Sequence, residues 1–441
     1  MPIYLSNLGC ARNLVDGEIM MGDLVDNGFT MTQDPSQADT IIVNTCSFIE
    51  SAIDESVDEI LELAEYKKTG KCRRLIVTGC LPERFREEIA NSLSEVDVFL
   101  GTGAYHKIID VIKNDPARHK CLLPPPMALP LQGHDTKRIP STSSMVYLKA
   151  TEGCDRHCTY CIIPKLRGRL RSRPVDDIIA EATDLISSGF KEIVIIGQDT
   201  GSYGTDLETA VPLSLLLEKI AGIAIRKPDP WIRFLYGSPD MTDESLIRTV
   251  ASHENICSYF DIPIQHSSKN VLQKMGRQYD EAYLKRLFDN IRAVIDDAAL
   301  RTTVMVGFPG ETDTDFKNML DFVKAVEFDH LGAFIYSDAD DLPSHGLPDH
   351  VPEAVAKKRH HILMTAQAEI SLKKNNAHVG NIYKVLVEKQ EEESLYIGRT
   401  CFQAPEVDGI TYIDSQTITV GEFADIKITD AYEYDFKGVN V

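Results

Sequence analysis

The chain has 441 residues, of which 43% are hydrophobic and 26% charged, and carries a net charge of −21 at pH 7. That length suits about three ordinary domains, and the acidic balance excludes a generic nucleic-acid binder, which needs lysine and arginine at phosphates; it accords with solubility and with a basic protein partner. The opening Met1-Pro2-Ile3-Tyr4-Leu5 lacks the basic lead and apolar run of a signal peptide, and no stretch nears the roughly 18 continuous apolar residues of a membrane helix, so the ten cysteines are expected in the reducing cytoplasm as metal ligands and buried thiols rather than disulfides.

Residues 1–115 repeat one unit of strand, cysteine and helix. Residues 2–9 lead to Cys10, 40–45 to Cys46 and 75–79 to Cys80. Short β-branched runs suit buried parallel strands, and the stretch after Glu50 has helical apolar spacing at Ile53, Val57, Ile60, Leu61 and Ala64. The expectation is an open parallel α/β sheet. Ligands of such sheets sit beyond the carboxyl ends of the strands. Cys10, Cys46 and Cys80 then share one edge, where they can form a three-thiolate site; the alternative is cysteine as an ordinary small buried residue at each strand end.

Residues 116–145 read as a linker, with Pro116, Pro124-Pro125-Pro126, Pro130, Pro140 and Ser141-Thr142-Ser143-Ser144. A second βα-rich region spans 146–375. Its strand candidates are 145–149, 192–196, 232–236, 259–264, 302–306 and 331–336, separated by helical patterns such as 175–186 and 283–295. Six such alternations predict a parallel βα barrel or part of one, with chemistry at the carboxyl ends of the strands. From 376 to 441, short strands between glycine and acidic turns (382–387, 396–400, 409–413, 423–428) predict a small all-β barrel. Residues 379–441 hold five basic residues against twelve acidic, a net charge of −7.

Directly after the first strand of the central region stands Cys154-Asp155-Arg156-His157-Cys158-Thr159-Tyr160-Cys161. Thiolates are soft ligands that select zinc, copper(I) or iron–sulfur clusters. Three readings follow: structural zinc completed by His157 or another cysteine, an electron-carrying cluster, or a 4Fe–4S cluster with one iron open to S-adenosylmethionine. The Cys-x3-Cys-x2-Cys spacing, the aromatic Tyr160 before the last cysteine and the position after a first barrel strand resemble the radical S-adenosylmethionine superfamily.

The likeness covers the whole chain. Leu8-Gly9-Cys10-Ala11-Arg12-Asn13-Leu14-Val15-Asp16, Val43-Asn44-Thr45-Cys46 and Val77-Thr78-Gly79-Cys80-Leu81, with Arg167-Gly168 and Arg171-Ser172-Arg173-Pro174 after the central motif, resemble the radical S-adenosylmethionine methylthiotransferase family. The stretch from Gly398 to Gly409 and the Asn-Leu-Val-Asp after Cys10 resemble its RimO type, which modifies an aspartate of small-subunit ribosomal protein twelve. Ala11-Arg12 departs from the Pro-Lys expected there, and Cys401 adds a thiol.

The resemblance implies an N-terminal open parallel sheet domain, a central (βα)6-type partial barrel and a C-terminal barrel of the TRAM type. It implies two 4Fe–4S clusters, one on Cys154, Cys158 and Cys161 and one on Cys10, Cys46 and Cys80. S-adenosylmethionine on the first would yield a radical that takes hydrogen from the aspartate β-carbon, and the second would present the sulfur that is methylated and transferred. Gly197, Gln198 and Asp199, and Gln265 and His266, are expected at S-adenosylmethionine; a β-turn and a satisfied core histidine are the alternatives. Arg167, Arg169, Arg171 and Arg173 either line the entrance or form a solvated face. Cys72, Cys121 and Cys257 read as ordinary thiols and Trp231 as core. The implied partners are a basic small-subunit ribosomal protein and a low-potential electron donor such as flavodoxin or ferredoxin, with no membrane and a monomeric, cytoplasmic enzyme. Transfer-RNA adenosine methylthiolation and an RNA- or ribosome-binding module with structural clusters are the other functions considered.

Overall fold

The computed structural model describes residues 1–114, 120–128, 130–131, 133–223 and 230–441; Pro116 of the expected linker lies outside them. In the first domain, β1 (Pro2–Asn7), β2 (Thr30–Met31), β3 (Thr40–Thr45), β4 (Arg74–Gly79), β5 (Val98–Leu100) and β6 (Cys121–Leu122) form a parallel sheet in the order β2-β1-β3-β4-β5-β6. The apolar runs become its interior because helices cover both faces. Ile41 and Val43 pack with Ile60 and Leu63 of the helix Glu50–Ala64, whereas Ile42 and Ile76 pack with Val15 and Ile19 of the helix Ala11–Asp26. Leu61, counted among the apolar positions of its helix, is exposed, since the buried stripe runs through Ile60, Leu63 and Ala64. The sheet also continues past residue 115: Cys121 and Leu122 pair with Phe99 and Leu100. A two-residue edge strand needs no apolar run and so leaves no periodic signal.

The central region holds β7 (Met145–Lys149), β8 (Thr151–Glu152), β9 (Arg171–Ser172), β10 (Glu192–Ile196), β11 (Trp231–Phe234), β12 (Tyr259–Asp261), β13 (Ala299–Val306) and β14 (His330–Ile335). Two parallel sheets, β11-β10-β7 and β12-β13-β14, meet where Ile232 bridges Ile256 in parallel. The six expected strands therefore form a partial barrel. Alternate side chains bury on opposite faces, as the two-residue strand period requires. Val146, Leu148, Ile193, Ile195 and Phe234 pack with Ile178, Leu216, Leu217 and Leu246 of the surrounding helices. Tyr147, Val194, Ile196 and Leu235 instead share a cluster with Ala11, Val15 and Ile19. A helix of the first domain thus shields the second face of the barrel strands.

The helix Glu353–Asn376 leads to a closed barrel of β15 (Ile382–Glu392), β16 (Leu395–Thr400), β17 (Thr411–Asp414), β18 (Phe423–Ala431) and β19 (Phe436–Asn440), in the order β15-β16-β17-β19-β18. The fifth strand has no expected counterpart: Phe436-Lys437-Gly438-Val439-Asn440 lacks a β-branched run, and pairing on both sides makes it a strand. This barrel docks on the first residues of the central strands. Arg399 Nη2 donates to Glu192 Oε2 at 2.6 Å, Arg233 Nε donates to Glu192 Oε1 at 2.7 Å, and Trp231 packs on Phe423 with centroids 4.7 Å apart. Among the described residues no helix is long and apolar enough to cross a membrane.

Candidate active site

Cys10, Cys46 and Cys80 follow β1, β3 and β4, which are neighbours in the sheet. Cys10 precedes the helix Ala11–Asp26, and Cys80 opens the helix Cys80–Phe85. Asn13 ties the strand ends together, its Nδ2 donating to Leu8 O at 2.8 Å and to Thr45 O at 3.2 Å. Gly9 has φ +88, and a Cβ there would lie 2.6 Å from Cys46 Cβ. Only glycine takes this conformation freely and lets the Cys10 segment approach Cys46. Gly79, with φ +96 and Thr45 O at 2.6 Å from a would-be Cβ, does the same for Cys80.

The three thiols form one electrostatic unit. Burial pushes the Cys80 thiol up to about 12; Arg167 opposes this, and Cys10 and Cys46 reinforce it. Burial likewise raises Cys46, with Cys10 adding to it. For Cys10, burial works against the thiolate, but Arg12, Arg167 and the N–H groups of Asn13 and Arg12 outweigh it and hold its pKa below that of an ordinary thiol. Such desolvated thiols ionise when a metal supplies the positive charge.

Cys154, Cys158 and Cys161 lie on the loop between β8 and the helix Ile163–Arg167. Arg156 fastens this loop to the barrel rim through Asp199, Asp240 (2.9 Å) and Ser238 Oγ (2.7 Å). Thr159 Oγ1 donates to Lys274 O at 2.8 Å, and Cys161 N to Cys158 O at 3.1 Å. Tyr160 packs edge-on to Phe308 and accepts from Arg277 Nη2 at 2.9 Å, which walls one side with apolar surface. Burial raises Cys154 to about 11 and Cys161 to about 12, with the neighbouring sulfurs reinforcing both. Two all-thiol triads fit iron–sulfur clusters in donor type. Among the described residues, no three histidine, cysteine or carboxylate groups converge on a single metal ion; a four-iron cluster gives each thiolate its own iron, so its ligands stand wider apart than those of one zinc.

A buried charge network runs from Cys80 to the residues flanking the Cys154 loop, where Cys154 N donates to Gly168 O at 3.1 Å. Arg167 Nη2 lies 3.7 Å from Cys80 Sγ and 3.0 Å from Asn13 Oδ1, while Nη1 lies 2.6 Å from Asp16 Oδ2. Lys149 Nζ bonds Asp16 and Glu152, and Glu152 Oε1 accepts from Gln198 Nε2 at 2.8 Å. The arginine run splits accordingly: Arg167 and Arg173 are buried in ion pairs, whereas the Arg169 side chain is 81% exposed and pairs with Asp155. Spacing alone did not separate these roles.

The other expected site residues lie on the same rim. Gly197, Gln198 and Asp199 follow β10. The Asp199 carboxylate is used by Arg156, Ser202 and Ser238, but the buried Gln198 Oε1 has no hydrogen-bond partner, and neither has Thr151 Oγ1 or Thr200 Oγ1. Unspent buried acceptors here fit the ammonium of S-adenosylmethionine. Gln265 has φ +67 and continues the ladder to β13 through Thr303 O and Met305 N. The His266 ring is fully buried; its Nδ1 accepts from Ser268 N at 2.8 Å, and its Nε2, without a hydrogen-bond partner, faces Glu311 at 3.8 Å. Sequence reasoning gave no role to Arg12, noted only as a departure from the family pattern, nor to Arg156, Tyr236 or Arg277. Arg156 could have been flagged by lying inside the cysteine motif; Tyr236 and Arg277 carry no local signal.

Comparison with known proteins adds the following. Residues 2–101 match a family described as uncharacterized protein family UPF0004, residues 148–323 the radical SAM superfamily and residues 379–441 the TRAM domain. The chain is 50% identical over 440 residues to the ribosomal protein uS12 methylthiotransferase RimO of Desulfosudis oleivorans, covering 99% of each. It is 47% identical over 439 residues to the protein of the same name from Clostridioides difficile, covering 99% of this chain and 98% of that one. Among solved structures, the radical S-adenosylmethionine methyltransferase TsrM of Kitasatospora setae has a TM-score of 0.61 at 12% identity, over 84% of this chain and 89% of that one. The cobalamin-dependent S-adenosylmethionine radical enzyme OxsB has a TM-score of 0.52 at 13% identity, over 84% and 56%. These two likenesses concern the fold.

Proposed function

Because the chain belongs to the RimO family of ribosomal protein uS12 methylthiotransferases, we propose that it attaches a methylthio group to the β-carbon of an aspartate of uS12, with Cys154, Cys158 and Cys161 holding one 4Fe–4S cluster and Cys10, Cys46 and Cys80 a second. The observation that carries this reading is the pair of all-thiol triads on two strand-end rims, with Arg167, on the helix that follows the Cys154–Cys161 loop, reaching Cys80. A single radical cluster would need one triad; two triads suit a reaction that both activates a C–H bond and delivers sulfur. The clusters and S-adenosylmethionine supply the electron, the hydrogen acceptor, the sulfur and the methyl group.

The chain supplies placement and exclusion. Arg156 and Asp199 hold the cysteine loop against the rim. Gln198 Oε1 and the backbone of residues 197–199 and 265–266 are the contacts proposed for S-adenosylmethionine, with Gln198 accepting from its ammonium. Tyr160, Phe308 and Met275 keep water from the Cys154, Cys158 and Cys161 triad. The −7 charge of residues 379–441 suits a basic ribosomal protein better than RNA. The same reading includes a low-potential flavodoxin or ferredoxin as donor and a monomeric, cytoplasmic enzyme.

Mass spectrometry of uS12 and of transfer RNA from cells with and without the gene tests it. A methylthio aspartate present only with the gene is expected. An unchanged uS12 with altered transfer-RNA adenosine would replace this reading by the nucleic-acid branch, and no change in either would leave a binding module.

A further inference from the structure

The reaction brings two carboxylates to this rim, that of S-adenosylmethionine and that of the substrate aspartate. The cations already there are mostly spent. Arg167 is paired with Asp16 and Glu152, Lys149 with the same two, Arg156 with Asp199 and Asp240, and Arg173 with Asp177 and Glu181. Among the described residues, two guanidinium groups beside the triads have no carboxylate partner. Arg277 bonds the Tyr160 hydroxyl next to the Cys154, Cys158 and Cys161 triad, and its buried Nε is unpartnered. Arg12 stands two residues after Cys10.

Arg12 is held in a fixed pose. Its Nη1 donates to Gly197 O at 3.3 Å, and its Cζ lies 4.2 Å from the centroid of the Tyr236 ring. Tyr236 itself has φ +63, a conformation that strains a bulky residue, and its N–H is secured by Asp261 Oδ2 at 2.8 Å. The barrel thus maintains a strained residue whose ring is the platform for a cation from another domain. One contact of Arg12 is the carbonyl of a residue proposed to touch S-adenosylmethionine, and Cys10, two residues before it, belongs to the triad proposed to deliver sulfur. Its one anionic neighbour is the Cys10 thiolate, which a cluster would take as its ligand; no carboxylate pairs with it, and its planar fork matches one.

We propose that Arg12, seated on Tyr236 between the Cys10 triad and the end of β10, binds the side-chain carboxylate of the substrate aspartate and so selects aspartate over its amide. This rests on the function proposed above. An ion pair there fixes the carboxylate, and with it the adjacent β-carbon, beside Gly197 and the Cys10 segment. Arg277, nearer Cys158 and Tyr160, is left for the carboxylate of S-adenosylmethionine.

The test uses the reconstituted full-length enzyme, purified uS12, and uS12 with the target aspartate replaced by asparagine. Binding of each is measured by fluorescence anisotropy, alongside S-adenosylmethionine affinity and iron per chain. Native uS12 is expected to bind about 10- to 100-fold more tightly than the asparagine form, the range of a charged hydrogen-bonded contact. In Arg12→Gln that ratio falls to about one, and in Arg12→Lys a several-fold preference remains, as expected for a charge without the fork. Tyr236→Leu, which removes the platform and leaves Arg12 in place, lowers the ratio several-fold. Iron content and S-adenosylmethionine affinity stay at the unsubstituted level in all three. A ratio that survives in Arg12→Gln overturns the proposal. So does a loss of S-adenosylmethionine affinity instead, which would assign Arg12 to the cofactor carboxylate, or a loss of iron, which would assign it to the triad. If the unsubstituted enzyme neither binds nor methylthiolates uS12, it is the function itself that fails.

Discussion

Arg167 and Cys80 belong to different domains, yet Arg167 Nη2 lies 3.7 Å from Cys80 Sγ. The arginine comes from the helix that ends the radical-motif loop, and the cysteine opens the helix after β4. The two domains that carry the triads are therefore tied by a buried set of charges, Arg167 and Lys149 on Asp16. Arg84 adds a second tie across the domains, its Nη2 bonding Asp341 at 2.7 Å.

Removing Arg167 leaves Asp16 and Glu152 facing each other with Lys149 alone between them. Breaking a buried pair in this way costs about 3–5 kcal/mol. Arg167→Leu is expected to lower the urea midpoint of the metal-free protein clearly, and Arg167→Lys to fall between, because an ammonium lacks the fork that reaches Asp16 and Asn13 together. An unchanged midpoint in Arg167→Leu would show the network to be dispensable for folding.

Iron counting separates the ten cysteines. After anaerobic reconstitution the chain is expected to hold about eight irons. Alanine at any of Cys10, Cys46, Cys80, Cys154, Cys158 or Cys161 should remove about four of them, since a cube missing a ligand is lost as a unit. Alanine at Cys72, Cys121, Cys257 or Cys401 should leave the count unchanged. Loss of a single metal per substitution would favour mononuclear sites.

Gly9→Ala should act on one triad only. Its Cβ would press on Cys46 Cβ at 2.6 Å and force an L-residue to φ +88. The expected result is loss of about four irons, with electron paramagnetic resonance retaining the signal of the Cys154–Cys161 cluster. A full complement of iron in Gly9→Ala would mean that the Cys10 turn relaxes without cost.

Docking of the terminal barrel should respond to acid. Burial works against the Glu192 carboxylate, but Arg399 and Arg233 outweigh it and hold its pKa below the usual carboxylate value. A depressed folded pKa contributes stability that is fully present above the unfolded value of about 4.3 and is lost as pH falls through the lower folded value. Trp231, the single tryptophan, packs on Phe423 at this junction and reports it. Its emission is expected to hold steady down to about pH 4.3 and to shift to the red below it. Glu192→Gln should shift it at neutral pH. A red shift starting well above that range would assign the junction's acid sensitivity to another group.

Local pattern and tertiary placement contributed different things. The β-branched runs ending in Cys46 and Cys80 announced buried parallel strands, because a strand covered on both faces must be apolar along its length. The Cys-x3-Cys-x2-Cys spacing announced a thiolate metal site, because ligands on one short loop are coded by their separation. β6 and β19 were not legible, since pairing with neighbours makes them strands. The arginine run also looked uniform, whereas Arg167 and Arg173 are buried and Arg169 faces solvent.

By itself, then, the order of residues determined the three domains, their fold types and six candidate ligands, all of which depend on periodicity and spacing along the chain. Only the tertiary structure decided which cations are spent and which are free. That Arg167 neutralises Asp16, 151 positions away, while Arg12 rests on Tyr236, 224 positions away, without a carboxylate depends on contacts across domains. Electrostatic compensation is set by distance in space and burial, and neither is written in the spacing of a motif.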